Sequence, residues 1–290
     1  MTLRLMAVHA HPDDESSKGA GTYSAYASRG VEVMVVSCTG GEAGDILNGG
    51  LESIEHAKRD LSGLRRVEMA HAQEILGVQH RWLGYLDSGM AREDGSLAPG
   101  TFAAIPLEIT ARPLIRLVRE FRPHVMITYD EQGGYPHPDH IRCHEVSLRA
   151  WRESGTESSP ELGDPWRISK LYYDRTMNPE RFESVFESLK RTSPGSHLVE
   201  RMEEMLGWMR KRPVVTATTT QVDVSDFFDR RDSALRAHAS QVAPDGFFLG
   251  LPEGLERGAY PFEDYELVDS RVDAPTPETD LFAGIDEAGA

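Results

Sequence analysis

Apolar and polar positions follow two rhythms in the first half of the chain. Leu3 to His9 (LRLMAVH) is a short apolar run, the pattern of a buried strand. Ser16 to Arg29 (SSKGAGTYSAYASR) predicts a helix with small residues on one side, stopped by Gly30. Val31 to Cys38 is a continuous, valine-rich run, as in a strand covered on both faces. Thr39 to Gly50 (TGGEAGDILNGG) is a glycine-rich loop, and Glu55 to Leu76 carries helix formers up to Gly77. Gln79 to Tyr85 predicts a short strand, and Leu107 to Phe121 a helix interrupted near Pro113. His124 to Asp130 (HVMITYD) predicts another strand, and Asp139 to Glu153 a further helix.

Strand and helix in alternation predict an α/β fold: a Rossmann-like, mostly parallel sheet flanked by helices, with right-handed crossovers. Ligands in such folds bind where the carboxyl ends of strands meet loops. The polar clusters sit at those places: HPDDE, TGGEAGD, DSG and DEQGGYPHPDH each follow a predicted strand. The second half is less regular and reads as a smaller C-terminal α+β portion. It holds a strand at Lys170 to Thr176, helices at Glu180 to Lys190 and Leu198 to Arg212, and a β-rich stretch from Pro213 to Val224. An amphipathic helix spans Phe227 to Ala239. Val272 to Ala290 is acidic and reads as a surface or mobile tail in which the Leu281-Phe282 pair could dock. The division expected is 1–165 as a metal-binding catalytic domain and 166–290 as a portion completing the substrate pocket.

The chain has 290 residues, 39% hydrophobic and 27% charged, ordinary for a globular protein. Its net charge of −16 argues against nucleic acid or an anionic membrane as general partners. No apolar run approaches the ~20 residues of a membrane span. The start lacks the cationic, apolar and small-residue pattern of a signal peptide, so the cytoplasm is the expected location. Two cysteines, Cys38 and Cys143, make no disulfide framework, and Cys38 reads as a buried small hydrophobe.

His11-Pro12-Asp13-Asp14 carries the sharpest chemistry. Imidazole and carboxylate suit a borderline metal ion such as Zn²⁺. His11 and one of the two aspartates can turn toward a common point, leaving the other within reach of an attacking water. A catalytic zinc site needs a third protein ligand. His137 and His140, in Gly133-Gly134-Tyr135-Pro136-His137-Pro138-Asp139-His140, follow another strand and can supply it, with Tyr135 adding a hydroxyl. His144 is a rival four residues after His140, on the same helix face. A helix start faces the sheet edge while the next turn recedes, so His144 and Cys143 read as packing residues. The plainer alternatives are a surface histidine and an Asp-Asp helix cap.

Five further residues are candidates for substrate binding. Lys18 follows the first loop and could meet a carbonyl or anion. Glu42 could bind substrate or brace the site. Arg65 could reach substrate or pair with Glu68 on a helix surface. Asp87 could accept sugar hydroxyls or cap a turn. His238, in ALRAHASQ, could fold over the site from far along the chain.

HPDDE after the first strand, GGYPHPDH in the middle and ALRAHASQ late together resemble the zinc-dependent de-N-acetylases of the PIG-L/LmbE superfamily. HAHPDDESSKGA, TGGEAGDILN, EILGV, DSGM, REFRPHVMITYDEQGGYPHPDHIRCH and ETDLFAGI look more closely like its branch of amidases that act on S-conjugates of mycothiol. The resemblance implies His11, Asp14 and His140 as zinc ligands, one ion per chain, with Fe²⁺ as an alternative metal in the cell. It implies Asp13 as general base and His137, with Asp139 beside it, as the group that stabilises or protonates the reacting amide. Tyr135 would move over the site and polarise the carbonyl. The implied reaction is hydrolysis of the cysteinyl–glucosamine amide of a small-molecule substrate. It releases a mercapturic acid and glucosaminyl-inositol. The alternatives are the related deacetylase of N-acetylglucosaminyl-inositol, an antibiotic-pathway homologue and, in another class, a non-catalytic sugar-binding α/β protein. Retention of Asp13, His137 and Tyr135 argues against the last, because binding alone needs no base. A dinucleotide enzyme is disfavoured because no GxGxxG follows the first strand.

Overall fold

The structure, a computed structural model, describes residues 2–211, 217–246 and 248–285. Seven strands form one sheet: β1 (Arg4–His9), β2 (Glu32–Thr39), β3 (Gln79–Tyr85), β4 (Val125–Thr128), β5 (Lys170–Asp174), β6 (Thr220–Asp223) and β7 (Phe262–Ser270). Their spatial order is β3-β2-β1-β4-β5-β7-β6. β1 to β5 pair in parallel, and β7 runs antiparallel to both β5 and β6. The expected α/β sheet is therefore present. The second half does not build a sheet of its own, because β5 pairs with β4 and carries β7 and β6 as an antiparallel edge.

Strand side chains alternate between faces, and both faces of the parallel centre are buried. Leu5, Ala7, Val33, Val35, Val125 and Ile127 share one core with Tyr23, Met69, Leu76 and Leu281. Met6, Val8, Met34, Val36 and Met126 enter a second core with Leu114, Val118, Cys143 and Val146. Cys38 and Cys143 are both free and buried, as expected of small hydrophobes.

The helices are α1 (Asp14–Ser17), α2 (Ala20–Ser28), α3 (Gly49–Glu52), α4 (Glu55–Arg59), α5 (Leu61–Leu76), α6 (Leu107–Phe121), α7 (Pro138–Glu153), α8 (Pro179–Thr192), α9 (His197–Lys211), α10 (Phe228–Ala237) and α11 (Leu255–Ala259). Three of these correct the pattern read from sequence. The first helix breaks at Lys18–Gly19, where Lys18 Nζ turns back onto Asp14 Oδ1 at 2.6 Å. The Glu55–Leu76 stretch breaks at Asp60, whose carboxylate caps α5 by accepting the Gly63 N–H at 3.0 Å. α6 runs straight through Pro113; the Tyr85 hydroxyl lies 3.4 Å from the Ile109 carbonyl that proline leaves without an N–H partner.

The stretch from Pro213 to Val224 contributes strand only at β6, and residues 212–216 lie outside the described residues. The acidic tail is not a loose surface segment as far as residue 285. Glu278 accepts Lys170 Nζ at 2.5 Å and the Tyr172 hydroxyl at 2.6 Å, and Leu281 and Phe282 are buried. A buried acid must be paired to stay buried, and this one fastens the tail across the edge of the sheet. Residues 286–290 lie outside the described residues. No helix among the described residues is long and apolar enough to cross a membrane.

α8, α9 and α11 enclose a third cluster that includes Phe182, Leu189, Leu206 and Met209. Glu256 lies at its margin and accepts from Arg181 at 2.5 Å and Arg231 at 2.7 Å. Burial opposes its charge, yet Arg181 and Arg231 hold its carboxyl at about 2 against an ordinary value of 4.5. A folded pKa below the unfolded one stabilises fully above the unfolded value and is lost as pH falls through the folded one. The contribution is about 3 kcal/mol at neutral pH. Thermal unfolding is expected to worsen between about pH 4.5 and 2. Glu256→Gln should lower stability at pH 7 and flatten that decline. An unaltered acid profile in the variant excludes the assignment.

Candidate metal centre and active site

The strand order places the site. From β1 the chain crosses to β2 and β3 on one side, and returns to β4 and β5 on the other. The crevice between β1 and β4 is the switch point at which such sheets bind ligands. The HPDDE turn leaves β1 there, and the segment from Tyr129 into α7 leaves β4 beside it.

His11, Asp14 and His140 meet in this crevice, all three buried, with one ligand atom from each within 4.8 Å of the others. Asp14 Oδ2 lies 3.7 Å from His11 Nδ1 and 3.5 Å from His140 Nε2. His140 Nε2 is buried without a hydrogen-bond partner. Its other nitrogen, Nδ1, donates to the Gly133 carbonyl at 2.9 Å. The ring stacks on Tyr129 at 4.5 Å and meets Tyr135 edge-on at 4.6 Å. His11 Nε2 donates to Asp139 Oδ2 at 3.3 Å, and Asp139 accepts the Ser88 N–H at 2.9 Å. Each imidazole therefore turns one nitrogen to an oriented acceptor and the other toward the carboxylate of Asp14. That is how metal-binding histidines are fixed. An orphaned buried nitrogen facing a carboxylate and a second imidazole fits a divalent ion of the zinc or ferrous kind. Among the rivals, His144 Nδ1 is spent on the Tyr129 carbonyl at 3.0 Å, one turn further from the sheet edge.

Gly133 makes this placement possible. Its φ is +73°, and a Cβ there would lie 2.5 Å from His140 Cβ.

Asp13 stands apart from this trio and keeps 27% of its side chain exposed. Its backbone is left-handed, with φ 99°, an uncommon conformation for a residue with a Cβ. Two clamps hold it. Glu15 Oε2 accepts the Asp13 N–H at 3.0 Å. Arg65 donates to the carbonyls of Pro12 and Gly41, and its guanidinium lies 3.4 Å from Asp13 Oδ2. Gly41 lets Arg65 pass, since a Cβ there would run into the guanidinium. Burial raises the Asp13 carboxyl above its ordinary value; Arg65 opposes this and Asp14 adds to it. For Asp14 burial also acts upward, but Lys18, His140 and His11 outweigh it and hold the group well below the carboxylate range.

His137 caps α7: its Nδ1 accepts the Asp139 N–H at 3.2 Å, so a neutral ring carries its proton on Nε2. Burial and the charge of His11 lower its pKa, which keeps it neutral. The Asp139 carboxylate is turned to His11, and its link to His137 runs through the backbone N–H. Tyr135, 44% exposed, sits over His140 at the mouth of the crevice.

Of the five candidate substrate contacts, Lys18 alone lines the cavity beside the crevice. Arg65 and Glu68 do not form a surface pair. Both are buried, and Glu68 accepts the N–H and hydroxyl of Ser240, each at 2.7 Å. Glu42 accepts the Asp87 N–H at 3.0 Å, and Asp87 accepts the N–H groups of Ala43 and Gly89 while lying 3.6 Å from His11 Nε2. These two acids brace loops. His238 is fully buried rather than folded over the site, and its Nε2 meets Glu15 Oε1 at 2.7 Å. A buried carboxylate demands a partner, and His238 reaches across the chain to supply one. Glu15 was legible in HPDDE but had no role without its partner, and Glu68 and Tyr129 carried no motif signal.

The matches to known proteins now have a geometry to meet. The family model described as PIG-L, GlcNAc-PI de-N-acetylase, matches residues 6–151. A mycothiol S-conjugate amidase from Streptomyces coelicolor is 44% identical over 98% of this chain and 97% of its own. The chain belongs to the PIG-L family. It is thereby an enzyme of that de-N-acetylase and amidase group. Another member, the 1D-myo-inositol 2-acetamido-2-deoxy-alpha-D-glucopyranoside deacetylase of Streptomyces avermitilis, is 39% identical over 97% of each chain. Among solved structures, the N,N'-diacetylchitobiose deacetylase of Pyrococcus horikoshii shares the fold at a TM-score of 0.58, with 18% identity over 91% of this chain and 83% of that one.

His238→Ala separates support from substrate contact. It strands Glu15 in the interior, and a loss of about 3–5 kcal/mol in unfolding free energy is expected. A stable variant with only a raised KM would return His238 to the substrate site.

Proposed function

We propose that the chain hydrolyses the cysteinyl–glucosamine amide of mycothiol S-conjugates. The products are a mercapturic acid and glucosaminyl-inositol. The observation that carries a hydrolytic reading is the partly exposed, clamped Asp13 beside three converging donors. His11, Asp14 and His140 would hold one divalent ion, with zinc as the proposed metal. When bound, the ion supplies Lewis acidity that polarises a carbonyl and acidifies water.

The protein's own groups do the rest. Asp13, raised by burial, accepts a proton from the water that adds to the amide carbon. Arg65 and Glu15 keep its carboxylate at the mouth of the crevice. His137 presents Nε2–H to the oxygen on which charge develops, and Tyr135 adds its hydroxyl from above. As the carbon–nitrogen bond breaks, the departing amine takes the proton back from Asp13, while the neutral His137 keeps its Nε2–H hydrogen-bonded to the carbonyl oxygen. Lys18 neutralises Asp14 and faces the cavity. The amidase reading is supported by the higher identity to the amidase than to the deacetylase, 44% against 39%, each over nearly the whole chain.

Asp13→Asn is expected to retain metal and lose about 10²–10⁴-fold in kcat, the usual worth of one proton transfer. Undiminished turnover in that variant removes Asp13 from the reaction. His11→Ala should lose bound metal on elemental analysis. Exhaustive chelation should abolish turnover, and zinc or ferrous iron should restore it; full activity after metal removal refutes the metal. A bimane conjugate of mycothiol and N-acetylglucosaminyl-inositol, offered side by side, decide the substrate. Faster amide cleavage of the conjugate is expected, and faster acetate release assigns the chain to the deacetylase.

A further inference from the structure

We propose that the apolar wall of the cavity beside the catalytic groups is a subsite for a bulky apolar group carried on the substrate's sulfur. This rests on the amidase reading above. The cavity holds about 340 Å³. Asp13, Asp14, Lys18 and Tyr135 form its reactive end. The same cavity is lined by Met177 and Phe182 from the β5–α8 region, Leu235 and Val242 around the end of α10, and Phe248 and Leu251. These residues come from several separate segments, so the wall is more than the face of one amphipathic helix. Phe182, Leu235 and Val242 are buried, whereas Met177 and Leu251 are half-buried and Phe248 is 40% exposed. The wall thus has an apolar base and an edge still open to a ligand. Arg181 and Glu256, at its margin, are bound to each other at 2.5 Å.

The chemistry of the substrate selects what can lie there. Glucosaminyl-inositol carries hydroxyls around both rings and gains nothing from methyl and phenyl groups. The N-acetylcysteinyl backbone is short and polar. An acetyl group, the acyl part of the deacetylase substrate, ends in one methyl and leaves this wall bare. The group on sulfur alone is free to be large and apolar. Such a wall reads apolarity more than shape, because it is built of flexible Met and Leu beside Phe.

The test uses the metal-loaded enzyme with S-methyl, S-butyl, S-benzyl and S-carboxymethyl conjugates of mycothiol. kcat/KM should rise about four-fold per added methylene from methyl to butyl. The S-carboxymethyl conjugate should be the poorest of the four. In Met177→Ser/Leu251→Ser the benzyl-to-methyl ratio of kcat/KM should fall ten-fold or more. Val242→Trp, which fills the wall without removing apolar surface, should lower the same ratio and covers the case of a double variant that does not fold. A flat series, or both ratios at their wild-type values, overturns the subsite while leaving the amidase reading standing. Acetate release from N-acetylglucosaminyl-inositol with no conjugate cleaved overturns both.

Discussion

Parallel pairing of β1 with β4 is the constraint on which the site depends. Leu5 lies beside Val125 in the register, so the two strands end together at the same edge. Everything that leaves those ends is forced into one crevice. His11 arrives from one side and the first turn of α7 from the other. More than a hundred residues of chain separate them, and their ring centroids stand 5.2 Å apart. A shift of register by one residue would turn the apolar side chains of β1 to the opposite faces and move His11 and Asp14 away from His140.

The crevice concentrates charge that a folded protein would otherwise avoid. Asp14, Glu15, Asp87 and Asp139 are all buried within this one region. Each is matched. Lys18 answers Asp14, His238 answers Glu15, backbone N–H groups answer Asp87, and Ser88 with His11 answers Asp139. Pairing of this kind contributes little net stability, since desolvation consumes most of the attraction. Its product is position. Asp13 is the acid left partly in contact with solvent, and its carboxylate is held by neighbours that are themselves fixed. A general base needs this combination of a raised proton affinity and a restricted place.

The second half of the chain joins the same architecture at two points. It extends the sheet through β5, β7 and β6, and Glu278 ties the terminal segment to Lys170 and Tyr172. It also sends His238 and Ser240 into the interior, where Glu15 and Glu68 receive them. These contacts bring the residues after α10 against the loop after β2, with the Leu47 N–H donating to the Ser240 carbonyl at 2.8 Å. The cavity wall is a consequence of that docking. The groups proposed for catalysis come from the first half, and the apolar lining of the same cavity comes largely from the second.

Local pattern alone determined much of this protein. The strand–helix alternation, the polar loops at strand ends, and the His-Pro-Asp pairs of both loops were legible because each depends on neighbours in sequence. The buried status of Cys38 followed from its apolar run, and that of Cys143 from its place one turn into α7. Other features depended on partners distant in the chain. Which side of His11 faces Asp139, why Asp13 keeps some exposure while Asp14 is buried, and why Arg65 and His238 lie buried against Pro12, Gly41 and Glu15 were decided by tertiary structure. So were the breaks at Lys18 and Asp60 and the fastening of the tail. Periodicity reports how an element meets a core. A buried charge reports only that it must find a counterpart, and the fold alone decides which counterpart comes within reach.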